Sequence, residues 1–161
     1  MAYQKLQPER AIQVIPHTSI PVPDPALEVI SGEADTYTGP AITNPFQDDN
    51  ATFVTSDVKV GDIVFNTTDK TITQVAEVVS ETVLRLDDAI MANGETYAIY
   101  RYTDKSACLL YVGGAGNVGV TTIGGDQVIF YGVPAGTFIP VQVTNVGPTG
   151  VVTATDIIAL R

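Results

Sequence analysis

The sequence predicts an all-β protein: a β-sandwich, jelly-roll-like domain with an inserted small β-barrel and an extended N-terminal arm. Three observations predict it. β-Branched and aromatic residues run in short segments punctuated by Gly, Asn, Asp and Pro turn signals. Five of the ten prolines crowd into the first 25 residues, at Pro8, Pro16, Pro21, Pro23 and Pro25. Charge is distributed unevenly: residues 106–161 carry only Asp126, Asp156 and Arg161, together with ten of the fourteen glycines.

The arm spans residues 1–26. Each proline lacks a backbone donor and disfavours helix in the residue before it, so the arm is extended. Apolar residues still recur at Leu6, Ile12, Val14, Ile15, Ile20 and Val22. Such an arm would be sticky in water, so it is expected to pack along its own domain or a neighbouring subunit.

Residues 27–105 read as a small barrel of the SH3 or OB kind. Segments 52–55, 63–67, 71–79, 82–86 and 96–102 have strand composition. Turn signals separate them at Val60-Gly61-Asp62, Asn66 to Lys70, Ser80-Glu81 and Asn93-Gly94. Residues 87–93 have room for one helical turn, too short to stand alone.

Residues 106–161 form the third part, with strands expected at 108–112, 118–122, 127–133, 138–143 and 156–160. Alternation places Val128, Phe130 and Gly132 on one face of a strand and Ile129, Tyr131 and Val133 on the other. A lone antiparallel sheet keeps one face wet and polar. Here both faces are apolar. Either another subunit or domain covers one of them, or a tight sandwich encloses both.

Composition narrows the function. A 45% hydrophobic fraction supplies a core, and a 16% charged fraction is too low for a disordered chain. A formal charge of −10 repels nucleic-acid phosphates, which argues against a direct nucleic-acid role. No apolar run approaches the roughly 20 residues that span a bilayer, so no membrane role is expected. Residues 1–10 are polar and lack the apolar segment of a secretory signal, so the protein is expected to be made and used in a cytoplasm, or released by lysis. The single cysteine, Cys108, rules out an internal disulfide and reads as a buried small hydrophobe rather than a reactive thiol.

Candidate chemistry is sparse. Residues 114–119 match G-x-G-x-x-G, but Val120-Thr121-Thr122-Ile123 follows where a phosphate-binding helix would begin. A glycine hairpin is the better reading. His17, the only histidine, lies in the irregular arm, a poor place to hold a catalytic base beside its nucleophile. Asn44, Asp48, Asp49 and Asn50 offer oxygen ligands of the kind calcium takes, without the spacing of an EF-hand loop. Asp87-Asp88 invites comparison with paired glycosidase carboxylates, but no tryptophan is present to line a sugar cleft. The expectation is a non-enzymatic protein without cofactor or metal.

The two ends of the chain carry a resemblance. Tyr3-Gln4-Lys5-Leu6-Gln7-Pro8-Glu9-Arg10-Ala11 resembles the opening of small virion proteins of tailed bacteriophages. Residues Leu110-Tyr111-Val112-Gly113-Gly114-Ala115-Gly116-Asn117-Val118, then Gly124-Gly125-Asp126, then Val133-Pro134-Ala135-Gly136-Thr137-Phe138-Ile139-Pro140-Val141, then Ala154-Thr155-Asp156-Ile157-Ile158-Ala159-Leu160, resemble the head spike-base family of phages and phage-like gene transfer particles. Its relatives serve as capsid decoration, cement or vertex proteins. Within the insert, Val58-Lys59-Val60-Gly61-Asp62-Ile63-Val64-Phe65-Asn66-Thr67-Thr68 and Gly94-Glu95-Thr96-Tyr97-Ala98-Ile99-Tyr100 resemble segments of phage structural proteins. Thr144-Asn145-Val146-Gly147 departs from the aromatic residue that the family often places near the end, so the contact made there is expected to differ.

The resemblance implies a virion structural protein, made in the host cytoplasm and carried on the capsid surface. It implies that the protein binds the major capsid protein or other virion proteins, and itself. Closed cyclic symmetry, with a homotrimer favoured, is the expectation. The expected subunit or capsid interface comprises Leu6, Ile12, Val14, Ile15, Tyr111, Val128, Phe130, Tyr131, Phe138 and Ile139. Two alternatives stand beside it: a tail or fibre-attachment adaptor, and a carbohydrate-binding host-attachment module using Tyr97, Tyr100 and Tyr102.

Overall fold

A computed structural model describes residues 8–103, 107–148 and 150–161. The described chain is all-β, with one 3-10 turn at Pro25–Leu27 and no α-helix. Strand β1 (Ala11–Gln13) comes first. Then follow β2 (Glu28–Glu33), β3 (Pro45–Gln47), β4 (Ile63–Asn66), β5 (Thr71–Val78), β6 (Val83–Leu86) and β7 (Thr96–Tyr100). The last five are β8 (Cys108–Gly114), β9 (Gly116–Thr122), β10 (Gln127–Val133), β11 (Thr137–Val146) and β12 (Thr155–Leu160). The chain divides into two compact units: Met1–Ala26 with Asp104–Arg161, and the inserted Leu27–Thr103. The insert holds thirteen acidic against four basic side chains, so it carries nearly all of the net charge.

In the unit formed by the two ends of the chain, six antiparallel strands run in the order β1-β12-β8-β11-β9-β10. The ten-residue β11 changes partner along its length. Its start pairs with β8, from Thr137↔Val112 to Ile139↔Leu110, and its end pairs with β9, from Val143↔Thr122 to Val146↔Val120. Register shifts on either side of Val143 mark the corner, where irregular pairing bends a strand. The sheet thereby folds over one core, and Leu110, Val112, Val118, Val143, Ile157 and Ala159 are buried there. The packing is sandwich-like although the hydrogen bonding is continuous.

The arm closes this core. Its prolines deny it a continuous ladder, so it bonds at intervals: Val14 N–H to Ile157 O, His17 N–H to Val146 O and Val22 N–H to Thr144 O. Val14 and Val22 reach the core itself. The Arg161 guanidinium donates to the carbonyls of Val22 and Pro23 and fastens the end of the chain to the arm.

The expected glycine hairpin is not formed. β8 and β9 flank β11 on opposite sides and do not pair with each other. The glycines serve close approach instead. A Cβ on Gly116 would lie 2.4 Å from Ala154 N, and one on Gly119 would lie 2.6 Å from Gly147 O.

The insert is a second six-stranded antiparallel sheet, β2-β7-β4-β5-β6-β3. Here β5 is the strand that bends. Thr71–Gln74 pair with β4, and Val75–Val78 pair with β6 across a register shift. The curl brings the two edge strands together at an Asp35↔Gln47 bridge, where Asp35 N–H donates to Gln47 O at 2.7 Å. Phe46, Phe53, Leu84, Tyr97 and Ile99 fill the enclosed core.

Two expectations fail in the insert. Residues 52–55 form a turn rather than a strand. The Glu81 carboxylate accepts the N–H groups of Val54 and Thr55 and the Thr55 hydroxyl, and these bonds outweigh β propensity. The hydroxyl bond from Thr55 is the main reason the Glu81 carboxyl is held below its ordinary value. Residues 87–93 take no helical turn; Asp87 N–H bonds Gln74 O and Asp88 N–H bonds the Thr73 hydroxyl, which ties the segment to β5.

Candidate protein-binding surface

The pairing registers define what the two-ended unit shows to its surroundings. Along β8, buried Cys108, Leu110 and Val112 alternate with half-buried Leu109 and Tyr111. Cross-strand partners share a face. The row Ile12–Ala159–Leu110–Ile139 therefore points inward. The adjacent row Gln13–Ile158–Tyr111–Phe138 points outward. Leu160 and Leu109 pair one step along on that outer face. Phe138 is 60% exposed, and its ring centroid lies 5.2 Å from that of Tyr111, inclined at 57°. None of these outer-row side chains is charged.

A second apolar region lies at the sheet edge. On β10, Val128 and Ile129 are exposed and Tyr131 is 73% exposed. The strict alternation expected there breaks at Gly132, which has φ +59° and lies in a register shift between Phe130 and Val133. The extra residue turns Val133 back into the core beside Phe130, so the two do not lie on opposite faces. Ile123, at the β9–β10 turn, adds another exposed side chain.

The ten expected interface residues separate accordingly. Val128, Tyr131 and Phe138 lie on the exposed apolar surface, Tyr111 is half-buried beside Phe138, and Ile15 is half-buried in the arm. Val14 and Ile139 are buried in their own unit and present nothing to a partner. Ile12 and Phe130 are half-buried and lean on that same core. Leu6 lies outside the described residues. Ile158, Leu160 and Leu109 complete the outer face and were missed, although alternation with inward Ile157 and Ala159 marks them.

The groups with possible chemistry answer structural partners. Burial pushes the Cys108 thiol up to about 11, opposed by Arg161 and reinforced by Asp24, and its Sγ lies 3.5 Å from Val143 O as donor. His17 Nδ1 accepts the N–H groups of Ser19 and Ile20, which commits the ring to a turn in the arm. Asn44 donates to Asp87 O, Asp49 accepts from Gln47, and Asp48 is buried with Tyr97 and Asn50 N–H. Among the described residues, no group of three or more His, Cys, Asp or Glu side chains converges on a metal position. Tyr97 and Tyr100 are buried and only Tyr102 is well exposed, so the three do not build a sugar platform.

No protein-family model, curated protein or solved structure matches the chain.

Proposed function

We propose that the chain is a non-enzymatic structural subunit of a tailed-phage particle, a capsid decoration or vertex spike-base protein that docks on the major capsid protein shell. The observation that carries this reading is the uncharged outer row Ile158–Tyr111–Phe138, in which the exposed Phe138 ring leans on half-buried Tyr111. Aromatic groups of this kind bury about 150–250 Å² each and dominate interfaces. A stable contact of about 1,600 Å² needs such a patch at its centre. The acidic insert is well hydrated and suits the solvent side of a particle. The resemblance of the Tyr-Val-Gly-Gly segment and the chain ends to spike-base proteins supplies the particle.

The test is co-sedimentation of the purified full chain with shells assembled without it, followed by a map of the decorated particle. The protein is expected to bind at saturable stoichiometry and to protect shells against heat. Phe138→Asp is expected to weaken that binding at least tenfold while the fold persists. Failure of the unaltered protein to bind shells, with no density for it in intact particles, would overturn the proposal.

A further inference from the structure

We propose that β10 is a strand-addition edge by which two copies of this chain pair antiparallel, joining their sheets into one. The sheet order ends at β10, so among the described residues one side of Gln127–Val133 has no strand beside it. Natural proteins protect such edges with proline, charge, short length, bulges or covering segments, and β10 has a bulge only at its Gly132 end. The other edges here are protected. β1 is three residues long and lies between Pro8 and Pro16. β2 and β3 are drawn together by the Asp35↔Gln47 bridge, and β2 carries Glu28 and Glu33. β10 alone among the described strands is long, uncharged, free of proline and unpaired along one side.

A second copy suits this edge because the strand is uncharged and complementary to itself. A second copy offers no other described strand able to complete this edge, so the partner of β10 is β10. Self-pairing brings no like charges together, because Gln127–Val133 holds none. Antiparallel pairing centred on Ile129 sets Val128 against Phe130 and Gln127 against Tyr131. Each pair shares a face, and the first is an aromatic–β-branched pair of the favourable kind. The bulge at Gly132 ends the regular run just beyond this register. A groove of about 390 Å³ beside the strand, lined in part by Val128, Ile129, Pro148 and Val151, leaves room for side chains from the incoming strand. Such a contact is isologous and two-fold. It adds a two-fold axis that a bare trimer lacks, so the oligomer number tests it. The inference does not depend on the virion reading.

The experiment is sedimentation equilibrium of the full chain with two variants. The protein is expected to be a dimer, or an even-numbered assembly, at micromolar concentration. Ile129→Lys, at a partly exposed site, should raise the dissociation constant at least tenfold with an unchanged circular-dichroism spectrum. Ile129→Cys should form a disulfide-linked dimer on oxidation, because paired strands bring the two positions within reach of one bond. Phe138→Asp should leave the dimer intact, which separates this contact from shell docking. A monomer at about 100 µM, a trimer, or a dimer indifferent to Ile129→Lys would overturn the inference.

Discussion

The Tyr97 hydroxyl donates to the Asp48 carboxylate over 2.7 Å, joining residues 49 positions apart inside the aromatic core of the insert. The Tyr97 ring meets Phe46 edge-on at 4.7 Å. Gly32 makes room for the pair: a Cβ there would lie 2.4 Å from the Asp48 carboxylate. Asp48 is 3% exposed, and its other oxygen accepts the Asn50 N–H. A carboxylate so buried depends on its donors.

Tyr97→Phe should therefore cost about 1–3 kcal/mol of stability, the usual penalty for leaving a buried acceptor short of a donor. The pH dependence tests the same pair. Burial first, then the bond to Asp48 and its charge, raise the Tyr97 phenol far above its ordinary value. A group raised in the folded state contributes its full stabilisation below its unfolded value, about 10 for tyrosine, and loses it as pH climbs above that. Urea titrations between pH 7 and 11 should show stability falling above about pH 10, with a shallower fall in Tyr97→Phe. Tyr100 is raised as well, chiefly by burial, so the fall should not vanish. Identical slopes in the two proteins would remove Tyr97 from the alkaline transition.

Asp62 is the second buried carboxylate whose loss should be felt. It is 1% exposed, accepts the N–H groups of Lys59 and Tyr102, and lies 3.1 Å from Arg101. It fixes the turn that enters β4. Asp62→Ala leaves two backbone donors without their acceptor and strips Arg101 of one of its two carboxylates, Asp57 remaining at 3.4 Å, an expected loss of about 2–4 kcal/mol. Arg101→Gln should cost less, because Asp62 keeps both backbone bonds. Chemical denaturation of the two variants measures the difference, and an Arg101→Gln loss equal to that of Asp62→Ala would contradict it.

How far the fold could be read from the sequence depended on what specified each element. β10 was legible to the residue because the strand formers Val128–Tyr131 and Val133 fill a window bounded by Asp126 and Pro134. β2 and β3 were not legible. Glu28, Gly32 and Pro45 are poor strand residues, and these elements exist because β7 and β6 supply partners. Likewise the hairpin reading of 114–119 failed because strand pairing is decided by β11, more than 20 residues further on. On the candidate surface, apolar character marked Phe138 and Ile139 equally. Register against Tyr111 and Leu110 is what sends one outward and the other into the core.

Gly116 offers a direct check on the close approach of β9 to the segment before β12. A methyl group there would meet backbone, Ala154 N at 2.4 Å and Thr153 C at 2.6 Å, which cannot rotate aside. Gly116→Ala should thus cost about 1–3 kcal/mol by overpacking. Gly150→Ala, with open space around it, should be near neutral. Comparable losses from both would show that the contact at Gly116 is not what requires glycine.

Cys108 reports on the same core from within. It is 2% exposed, and its thiol is held up to about 11 mainly by burial. At pH 8 the thiolate fraction is then on the order of one in a thousand, and the thiolate is the reactive form. Labelling by a disulfide reagent should be at least a hundredfold slower in the native protein than in denaturant. It should proceed only through opening of the sheet, so its rate tracks the population of the open form. Gly116→Ala, by straining that sheet, should accelerate labelling by the factor its stability loss dictates, roughly tenfold for each 1.4 kcal/mol. A native rate matching the denatured one would mean that the thiol is reached without unfolding and that the packing of β8 against β11 is looser than Leu110, Val143 and Ile139 make it.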